Sequence, residues 1–218
     1  MGDRALLVEL GDEISPSINR KVRELFLKLD RESVHGIKEL VPAYRSLMIV
    51  YDPLAILLTA LKEVVTRLHG ETHGPPIPEP KKLDVPVVYG GRFGPDLQWV
   101  ADFHGISPEE VVRYHVQPVY QVYMIGFTPG FPYLGEVPDA IATPRRETPR
   151  TVVPQGSVAI AQRQTGIYPV QSPGGWQILG WTPLRFFDAE NWPPTPLEIG
   201  DRVKFFPIRE KEIPDWQS

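Results

Sequence analysis

Cysteine is absent from this chain of 218 residues. The absence excludes a disulfide framework, thiolate catalysis and any zinc or iron–sulfur site built on cysteine, and it suits a reducing cytoplasm. The chain also lacks any apolar run near the ~20 residues that a membrane span needs. Residues 1–10 carry three charges and no apolar core of the signal-peptide type. We therefore expect a cytoplasmic protein with no targeting segment and no membrane partner.

An excess of basic charge is missing as well. The formal net charge is −4, so we expect no nucleic-acid partner. Hydrophobic residues make up 42% and charged residues 23%, as in ordinary globular proteins. Proline is the residue in excess, with 25 in the chain. The prolines separate apolar runs, as they do in turns and edge strands.

Apolar periodicity predicts a small βαββα unit in the first third of the chain. Short strands are predicted at 4–10, 34–41 and 44–51. Ser15 is a typical N-cap residue, and Pro16 follows it at the first helical position. Asp52 and Pro53 form a second pair of this kind. Apolar side chains then recur at helical spacing from Leu54 to Leu68. This order predicts a small sheet with helices on one face.

A proline-rich segment at 70–82 is typical of a semi-rigid linker. We place the domain boundary there, which gives an α+β domain at 1–69, the linker at 70–82 and a second domain at 83–218. The second domain has strand-like runs at 83–89, 119–127, 157–161, 176–180, 184–187 and 202–207. One helix is predicted to start at Ser107, which forms a capping box with Glu110. Many short strands between dense turns predict a barrel or a sandwich.

Arginines are concentrated in one part of the second domain. Residues 140–187 contain five arginines, no lysine and a single acid, Glu147. The arginines are Arg145, Arg146, Arg150, Arg163 and Arg185. Guanidinium groups offer a planar fork to a carboxylate or a phosphate, so the segment is a candidate anion site. The alternative is that these arginines pair with acids elsewhere in the fold.

Two loops rich in glycine, proline and aromatic residues are candidates for the walls of a pocket. The first, at 126–134, carries Phe127, Phe131 and Tyr133. The second, at 168–176, contains Gly174 and Gly175, whose backbone amides could cradle an anion. The alternative for the first loop is a packed loop over a barrel mouth, and the alternative for the second is a tight hairpin.

No general base and no metal cluster stands out, so the catalytic residues stay open and no metal site is expected. Ser157 follows a turn and is either a ligand donor, a nucleophile or a serine that satisfies the backbone where a strand begins. His69 and His73 are four residues apart, but glycines interrupt the helix that would align them. His115 falls late in a predicted helix, where a positive charge would suit the helix dipole, and we expect it to be structural.

The loops and arginines belong to an ordered series of motifs along the chain. The series consists of GFTPGFPYL at 126–134, PRR at 144–146, PR at 149–150, PQGSV at 154–158, QTGIYP at 164–169, SPGGW at 172–176 and GDRVKF at 200–205. It resembles the 5-oxoprolinase B-subunit family, which includes allophanate hydrolase subunit 1 and the sporulation-kinase inhibitor. The resemblance covers essentially the whole chain. Two positions depart from it: Gln155 stands where the family often has alanine, and Trp181 where arginine is usual.

The resemblance implies a fold and an activity. The implied fold is a small α+β domain followed by a cyclophilin-like β-barrel. The implied activity is that of an ATP-dependent 5-oxoprolinase, which opens the lactam 5-oxoproline to L-glutamate. The chain would act with an A subunit of that enzyme and with a C subunit similar to allophanate hydrolase subunit 2, and would be inactive alone. ATP, with Mg²⁺ accompanying it, would occupy a site shared with one of these partners. Formation of a homo-oligomer by this chain is left open.

Within that activity we expect one site for the substrate and its anionic group. Arginines would clamp the anion, aromatic rings would enclose the lactam, and Ser157 and Gln164 would donate hydrogen bonds. The candidate residues are Phe127, Phe131, Tyr133, Arg145, Arg146, Arg150, Ser157, Gln164, Gly174, Gly175 and Trp176.

Three other functions stay open at this point. The first is a binding protein that inhibits a sensor histidine kinase. The second is one component of an allophanate- or urea-related amidohydrolase. The third, prolyl isomerisation, rests on analogy with the cyclophilin fold alone.

Overall fold

A computed structural model describes residues 3–216. These residues divide into two compact units, one through Glu79 and one from Pro80 onward. The division falls inside the proline-rich segment. Independent domains with the boundaries 1–69, 70–82 and 83–218 stay a prediction, whose first two and last two residues lie outside the described part.

The first unit has the expected order of strands and helices. Its elements are β1 (Ala5–Glu9), α1 (Pro16–Glu32), β2 (Ile37–Pro42), β3 (Ser46–Tyr51) and α2 (Leu58–Gly70). The strands form an antiparallel sheet in the order β1-β3-β2. The Ser15 hydroxyl accepts a hydrogen bond from the Ile18 N–H at 3.3 Å, which caps α1 as predicted. The core contains Val22, Leu25, Leu29, Leu47, Ile49, Leu61 and Leu68.

The start of α2 differs from the expectation. Asp52 does not open the helix: its carboxylate accepts the Leu54 N–H at 3.0 Å and stabilises a separate turn. Leu54 and Leu57, expected on the buried stripe, are 97% and 70% exposed. The helix begins at Leu58 and ends at Gly70, so His73 lies beyond it. The aspartate side chain bonds its own turn, and that local bond competes with helix formation.

The second unit is built mostly of short strands. Its strands are β4 (Lys82–Tyr89), β5 (Tyr120–Ile125), β6 (Pro132–Gly135), β7 (Arg150–Val153), β8 (Ser157–Ala161), β9 (Gln164–Ile167), β10 (Ser172–Gly174), β11 (Gln177–Trp181) and β12 (Arg202–Pro207). Its α-helices are α3 (Leu97–His104) and α4 (Pro108–Val116), and 3₁₀ turns form at Asp139–Ile141 and Glu210–Trp216.

Seven of these strands close into a barrel in the order β11-β4-β12-β5-β6-β9-β8, with β8 paired to β11. β4 and β12 run parallel, and the other barrel pairs are antiparallel. β7 and β10 form a separate two-stranded ribbon. Closure leaves no free strand edge within the ring. The barrel core includes Val85, Tyr120, Val122, Leu134, Val158, Ile160, Ile167 and Phe205.

Two elements of this unit differ from the sequence-based expectation. α3 was not expected, because its apolar residues lie on two faces: Val100 is buried while Trp99 and Phe103 are exposed. No strand forms at 184–187. Phe186 instead enters the barrel core, and its carbonyl lies against the turn at Gly130. The capping box of Ser107 and Glu110 is present at the start of α4, as predicted. No helix within residues 3–216 is long and apolar enough to cross a membrane.

Candidate functional site

An aromatic cavity of about 290 Å³ lies in the second unit, between the β5–β6 turn and the glycine-rich segment at β10. We call it the aromatic cavity throughout. Its lining residues are Phe127, Phe131, Tyr133, Arg145, Arg146, Pro149, Tyr168, Pro173, Gly174, Gly175 and Trp176. The two loops singled out in the sequence therefore meet at one place.

Phe131 is the centre of the aromatic wall. Its ring meets Tyr168 and Trp176 edge-on, with centroids 5.1 and 5.4 Å apart, and Tyr133 at 4.8 Å. Phe131 is 1% exposed, whereas Phe127 is 62% exposed and touches it edge-on from the outside. Edge-to-face packing of this kind favours fixed ring positions. The wall is therefore preformed, and Phe127 is the ring exposed to a partner or to solvent.

The turn at 126–131 has a backbone that places these rings. The Gly126 N–H donates to the Phe131 carbonyl at 3.0 Å, and the Phe131 N–H donates to the Thr128 carbonyl at 3.1 Å. Gly130 has φ +80°, and a Cβ there would lie 2.7 Å from the Phe186 carbonyl oxygen. Only glycine tolerates both the positive φ and the close approach of this carbonyl oxygen.

Gly174 forms the opposite wall. A Cβ at this position would lie 2.2 Å from the Tyr168 hydroxyl, whereas at Gly175 the nearest atom would be Pro149 Cγ at 3.5 Å. Gly174 therefore allows the tyrosine to sit directly against the backbone of β10. The Gly175 carbonyl accepts the Arg146 backbone N–H at 2.8 Å, which ties the arginine segment to the same wall.

Two phenol groups in the cavity stay protonated near neutral pH. Burial raises the pKa of Tyr168 to about 12, and a backbone hydrogen bond with Trp176 and the charges of Arg145 and Arg150 oppose the rise. Burial also raises the pKa of Tyr133, again opposed by Arg145. Protonated phenols can donate hydrogen bonds to a carbonyl or a carboxylate.

Within residues 3–216, four of the five arginines of 140–187 form ion pairs with acids and one does not. Arg163 pairs with Glu136 and Asp139, and Arg185 pairs with Asp188. Arg146 and Arg150 both pair with Asp96. Arg145 is exposed and makes no ion pair with any acid among residues 3–216. The alternative of pairing with acids thus holds for four arginines, and within the described residues Arg145 is left as the free cation of the cavity.

Asp96, a residue that sequence reasoning missed, lies behind the arginines. Its Oδ1 atom accepts hydrogen bonds from Arg150 Nη2 at 2.7 Å and Arg146 Nη1 at 3.2 Å. Its Oδ2 atom accepts the Ile178 N–H at 2.7 Å. A lone aspartate 50 residues before the arginine segment has no local signal that would connect the two.

Comparison with known proteins places this geometry in a family. The family model "Carboxyltransferase domain, subdomain C and D" matches residues 1–197. The B subunit of 5-oxoprolinase from Bacillus subtilis is 40% identical over 222 residues, which cover 97% of this chain and 92% of the relative.

The chain belongs to the 5-oxoprolinase B-subunit family.

Other similarities are to longer proteins. The crystal structure of TTHA0988 superposes with a TM-score of 0.84 at 38% identity, over 94% of this chain. This chain spans 40% of the length of TTHA0988. The urea amidolyase of Saccharomyces cerevisiae is 24% identical over 97% of this chain, which spans 13% of that protein.

Eight of the eleven residues that the sequence indicated as candidates for binding line the aromatic cavity. The other three lie elsewhere. Arg150 and Ser157 line a neighbouring cavity of about 390 Å³, together with Arg92, Phe93 and Trp181. Gln164 lies in β9, where it is paired with Gly135 of the adjacent strand β6 and with Ala161 of the adjacent strand β8. Ligand binding by any of the eleven residues stays a prediction.

Ser157 and Trp181 have structural partners in the neighbouring cavity. The Ser157 hydroxyl donates to the Pro154 carbonyl at 2.7 Å. Trp181 Nε1 donates to the Gln155 carbonyl at 2.8 Å, so the two positions that depart from the family pattern contact each other. Pro149, Tyr168 and Pro173 complete the aromatic cavity although they were not named as candidates. Tyr168 was detectable, since it stands within a motif that carries the resemblance.

His115 is a structural residue of the barrel core, as expected, although it does not carry the positive charge that would suit its place in α4. The ring is fully buried, and burial lowers its pKa to about 3. Its nitrogens contact the Tyr89 hydroxyl at 2.7 Å and the Thr165 hydroxyl at 2.8 Å, and it stacks on Phe205. Desolvation outweighs the helix dipole, so the ring is neutral and belongs to the barrel core.

Proposed function

We propose that this chain acts as the B subunit of an ATP-dependent 5-oxoprolinase and binds 5-oxoproline in the aromatic cavity. The observation that carries the proposal is that a preformed aromatic wall and Arg145, which forms no ion pair within residues 3–216, line one cavity. 5-Oxoproline has a compact, carbon-rich ring and a carboxylate. A mostly apolar cavity with a few placed polar groups fits such a ligand.

The chemistry of the cavity assigns a part of the ligand to each wall. The faces and edges of Phe131 and Trp176 would cover the ring carbons. The carboxylate would meet the Arg145 guanidinium, which forms charge-assisted hydrogen bonds in pairs. The protonated hydroxyls of Tyr133 and Tyr168 would donate to the lactam carbonyl or the carboxylate. Each of these groups binds; none of them is assigned as the general base.

The nucleotide is proposed to lie at least partly on a partner. A lactam is stabilised by amide resonance, and ATP supplies the activation that its opening requires. The chain has no phosphate-loop motif, and residues 3–216 contain no group of three His, Cys, Asp or Glu side chains arranged to hold a metal ion. These residues therefore do not fit a complete site for ATP and Mg²⁺, which supports a nucleotide site shared with a partner.

The same proposal covers the assembly. An A and a C subunit would complete the enzyme, with the C subunit seated at the mouth of the aromatic cavity and the complex in the cytoplasm. The barrel would be of the cyclophilin-like type, and the two compact units would be separate domains. Support comes from the exposed Phe127 at the cavity mouth and from the closed seven-stranded ring.

Reconstitution tests the proposal. The chain is mixed with its A and C partners, ATP and 5-oxoproline, and glutamate is measured. Arg145→Ala should raise the KM for 5-oxoproline about ten- to hundredfold, since a hydrogen bond to a charged group is worth roughly 1.5–3 kcal/mol. Arg163→Ala is the matched control, because Arg163 belongs to the same arginine-rich segment but pairs with Glu136 and Asp139 away from the cavity.

Two results would contradict the proposal. One is a wild-type KM in the Arg145→Ala enzyme. The other is a complete complex that leaves 5-oxoproline intact. If that complex instead reduced autophosphorylation of a sensor histidine kinase, the inhibitor function would replace the enzymatic one.

A further inference from the structure

Asp96 stands at the N-cap of α3 but does not cap it. An aspartate at this position ordinarily accepts a backbone N–H from the first turn of its own helix. Asp96 makes no such bond, and its φ of −101° and ψ of −2° are helical instead of extended. The carboxylate is turned away from the helix, where it accepts three other hydrogen bonds.

The loop before α3 brings Asp96 against β11. The Asp96 N–H donates to the Ile178 carbonyl at 3.1 Å, and the Ile178 N–H returns a bond to the carboxylate at 2.7 Å. Gly94 makes this approach possible, since a Cβ there would lie 1.9 Å from the Leu179 carbonyl oxygen. Backbone and side chain thus both hold the aspartate in one place.

Two arginines take their positions from that carboxylate. Arg146 lines the aromatic cavity, and Arg150 lines the neighbouring one. Asp96 is only 7% exposed, so its bonds to both guanidinium groups form in a largely desolvated place. One carboxylate against two guanidinium groups leaves one positive charge uncompensated.

Two donors in this cluster are unsatisfied. Arg146 Nε and Arg150 Nη1 are buried and have no hydrogen-bond partner among the described residues. Buried donors without an acceptor are costly. Together with the uncompensated charge they indicate that the cluster is built to receive an anion.

We propose that Asp96 is a positioning residue for the anionic group of the substrate. It fixes the Arg146 guanidinium at the wall of the aromatic cavity that Arg145 also lines, and the same carboxylate oxygen holds Arg150. The carboxylate of 5-oxoproline then meets two guanidinium groups whose orientation is set before it arrives. This inference rests on the proposed function, because it concerns the same cavity and the same ligand.

Positioning and simple charge balance predict opposite effects of Asp96→Asn. The variant keeps the size of the side chain and removes one negative charge. If Asp96 only neutralised the arginines, the extra positive potential would tighten the binding of an anion. If Asp96 orients them, binding weakens despite the more favourable charge. The guanidinium groups are then mobile in the free protein, and they must lose conformational freedom when the ligand binds.

The experiment measures kcat and KM of the complete three-component enzyme and the Kd of 5-oxoproline without ATP. For Asp96→Asn we expect KM and Kd to rise about tenfold, with kcat changed less than about threefold. Asp102→Asn is the matched control. It makes the same change on α3, where Asp102 is exposed and its carboxylate bonds the Gln98 side chain. Its KM should stay within about twofold of wild type.

Two further variants keep the inference falsifiable if Asp96→Asn folds poorly. Asp96→Ser supplies a residue that caps helices well but cannot hold two arginines, so it should fold and still show the raised KM. In an Arg146→Ala background, Asp96→Asn should have no additional effect on KM, since the residue to be positioned is gone.

The outcomes separate this inference from the proposed function. A wild-type complex that cleaves 5-oxoproline, with KM unchanged or lowered in Asp96→Asn and Asp96→Ser, overturns the positioning role and leaves the proposed function intact. Equal effects of Asp96→Asn with and without Arg146 also overturn it. A wild-type complex that neither binds nor cleaves 5-oxoproline overturns both.

Discussion

At the scale of single residues, local motifs indicated most of the residues that line one cavity, and binding of a ligand by these residues stays a prediction. The aromatic rings and the glycine pair stand in short motifs whose composition alone indicates a rigid wall. The arginines were harder to interpret, because a guanidinium can serve a ligand or an acid equally well. Asp96 bonds both Arg146 and Arg150, and no local pattern shows this pairing because Asp96 lies 50 residues from the former and 54 from the latter.

The two cavity glycines should respond differently to an added methyl group. Gly174→Ala places a Cβ 2.2 Å from the hydroxyl of buried Tyr168, which cannot move away in a packed cluster. We expect a loss of about 1–3 kcal/mol of unfolding free energy in urea. Gly175→Ala meets only Pro149 at 3.5 Å and should unfold close to the wild-type midpoint. Equal midpoints for the two variants would contradict the tight contact at Tyr168.

His115 should make the second unit sensitive to acid. Its folded pKa of about 3 lies below the ordinary value of 6.5, so the unfolded chain takes up the proton first as the pH falls. The stabilising contribution is present above pH 6.5 and is lost progressively between pH 6.5 and about 3, by up to ~1.4 kcal/mol per pH unit.

The measurement is urea unfolding of wild type and His115→Gln across that range. The variant should show a shallower loss of stability toward low pH. His73→Gln, at an exposed position beyond α2, should keep the wild-type slope. A His115 proton resonance that titrates near pH 6.5 in the folded protein would refute the prediction.

At the scale of secondary-structure elements, the predictions were correct where a helix cap and the apolar pattern indicated the same element. Ser15 and Ser107 cap α1 and α4 as expected, and β12 has the expected bounds. Asp52 and Asp96 show why the pattern fails elsewhere: an aspartate can bond a turn or a distant strand as readily as a helix N-terminus. The segment at 184–187 fails for another reason, since its apolar residues fill the core without pairing to a strand.

The proline-rich segment should be the preferred site of limited proteolysis. Residues 71–81 form no regular secondary structure, and most of them are exposed. Cleavage should fall before Lys81, because the Lys81 N–H donates to Asp201 at 2.9 Å and its carbonyl accepts the Arg202 N–H at 2.8 Å. Mass spectrometry should locate the cut between His73 and Glu79.

Stability of the released fragment tests the two-domain prediction. A fragment that begins near Pro80 retains all seven barrel strands, so we expect cooperative thermal unfolding by circular dichroism. A fragment without a folding transition would show that the second unit is not an independent domain.

At the scale of the whole molecule, the chain carries part of an enzyme. The aromatic cavity and Arg145 can hold a ring and a carboxylate, but no general base was found among its lining residues. We therefore expect the isolated chain to show no ATP-dependent cleavage of 5-oxoproline, whereas the mixture with its A and C partners should form glutamate. Full activity of the isolated chain would refute the shared site.

Association with the C partner should depend on Phe127. Phe131 is unsuitable for this test because it is buried at the centre of the aromatic wall, so a charge there would disrupt the fold. Phe127→Asp instead places a charge at an exposed position of the cavity mouth, where docking would desolvate it. We expect the Kd of the complex to rise at least about tenfold in sedimentation or calorimetric measurements.

Trp192→Asp is the matched control for the docking test. Trp192 is an exposed aromatic residue outside the lining of the cavity, so its replacement should leave the Kd of the complex unchanged. Equal weakening by both variants would mean that overall charge, and not the cavity mouth, governs association.

The sequence by itself determined the order of elements in the first unit, the helix caps at Ser15 and Ser107, and the loops that build the aromatic wall. These features depend on residues a few positions apart, so local periodicity and turn chemistry are enough to indicate them. Only the tertiary structure decided which arginines pair with an acid, because pairing with Asp96 depends on where a distant loop meets β11. It also decided that His115 is neutral, since burial between the helix and the barrel strands outweighs the charge preference of a helix end.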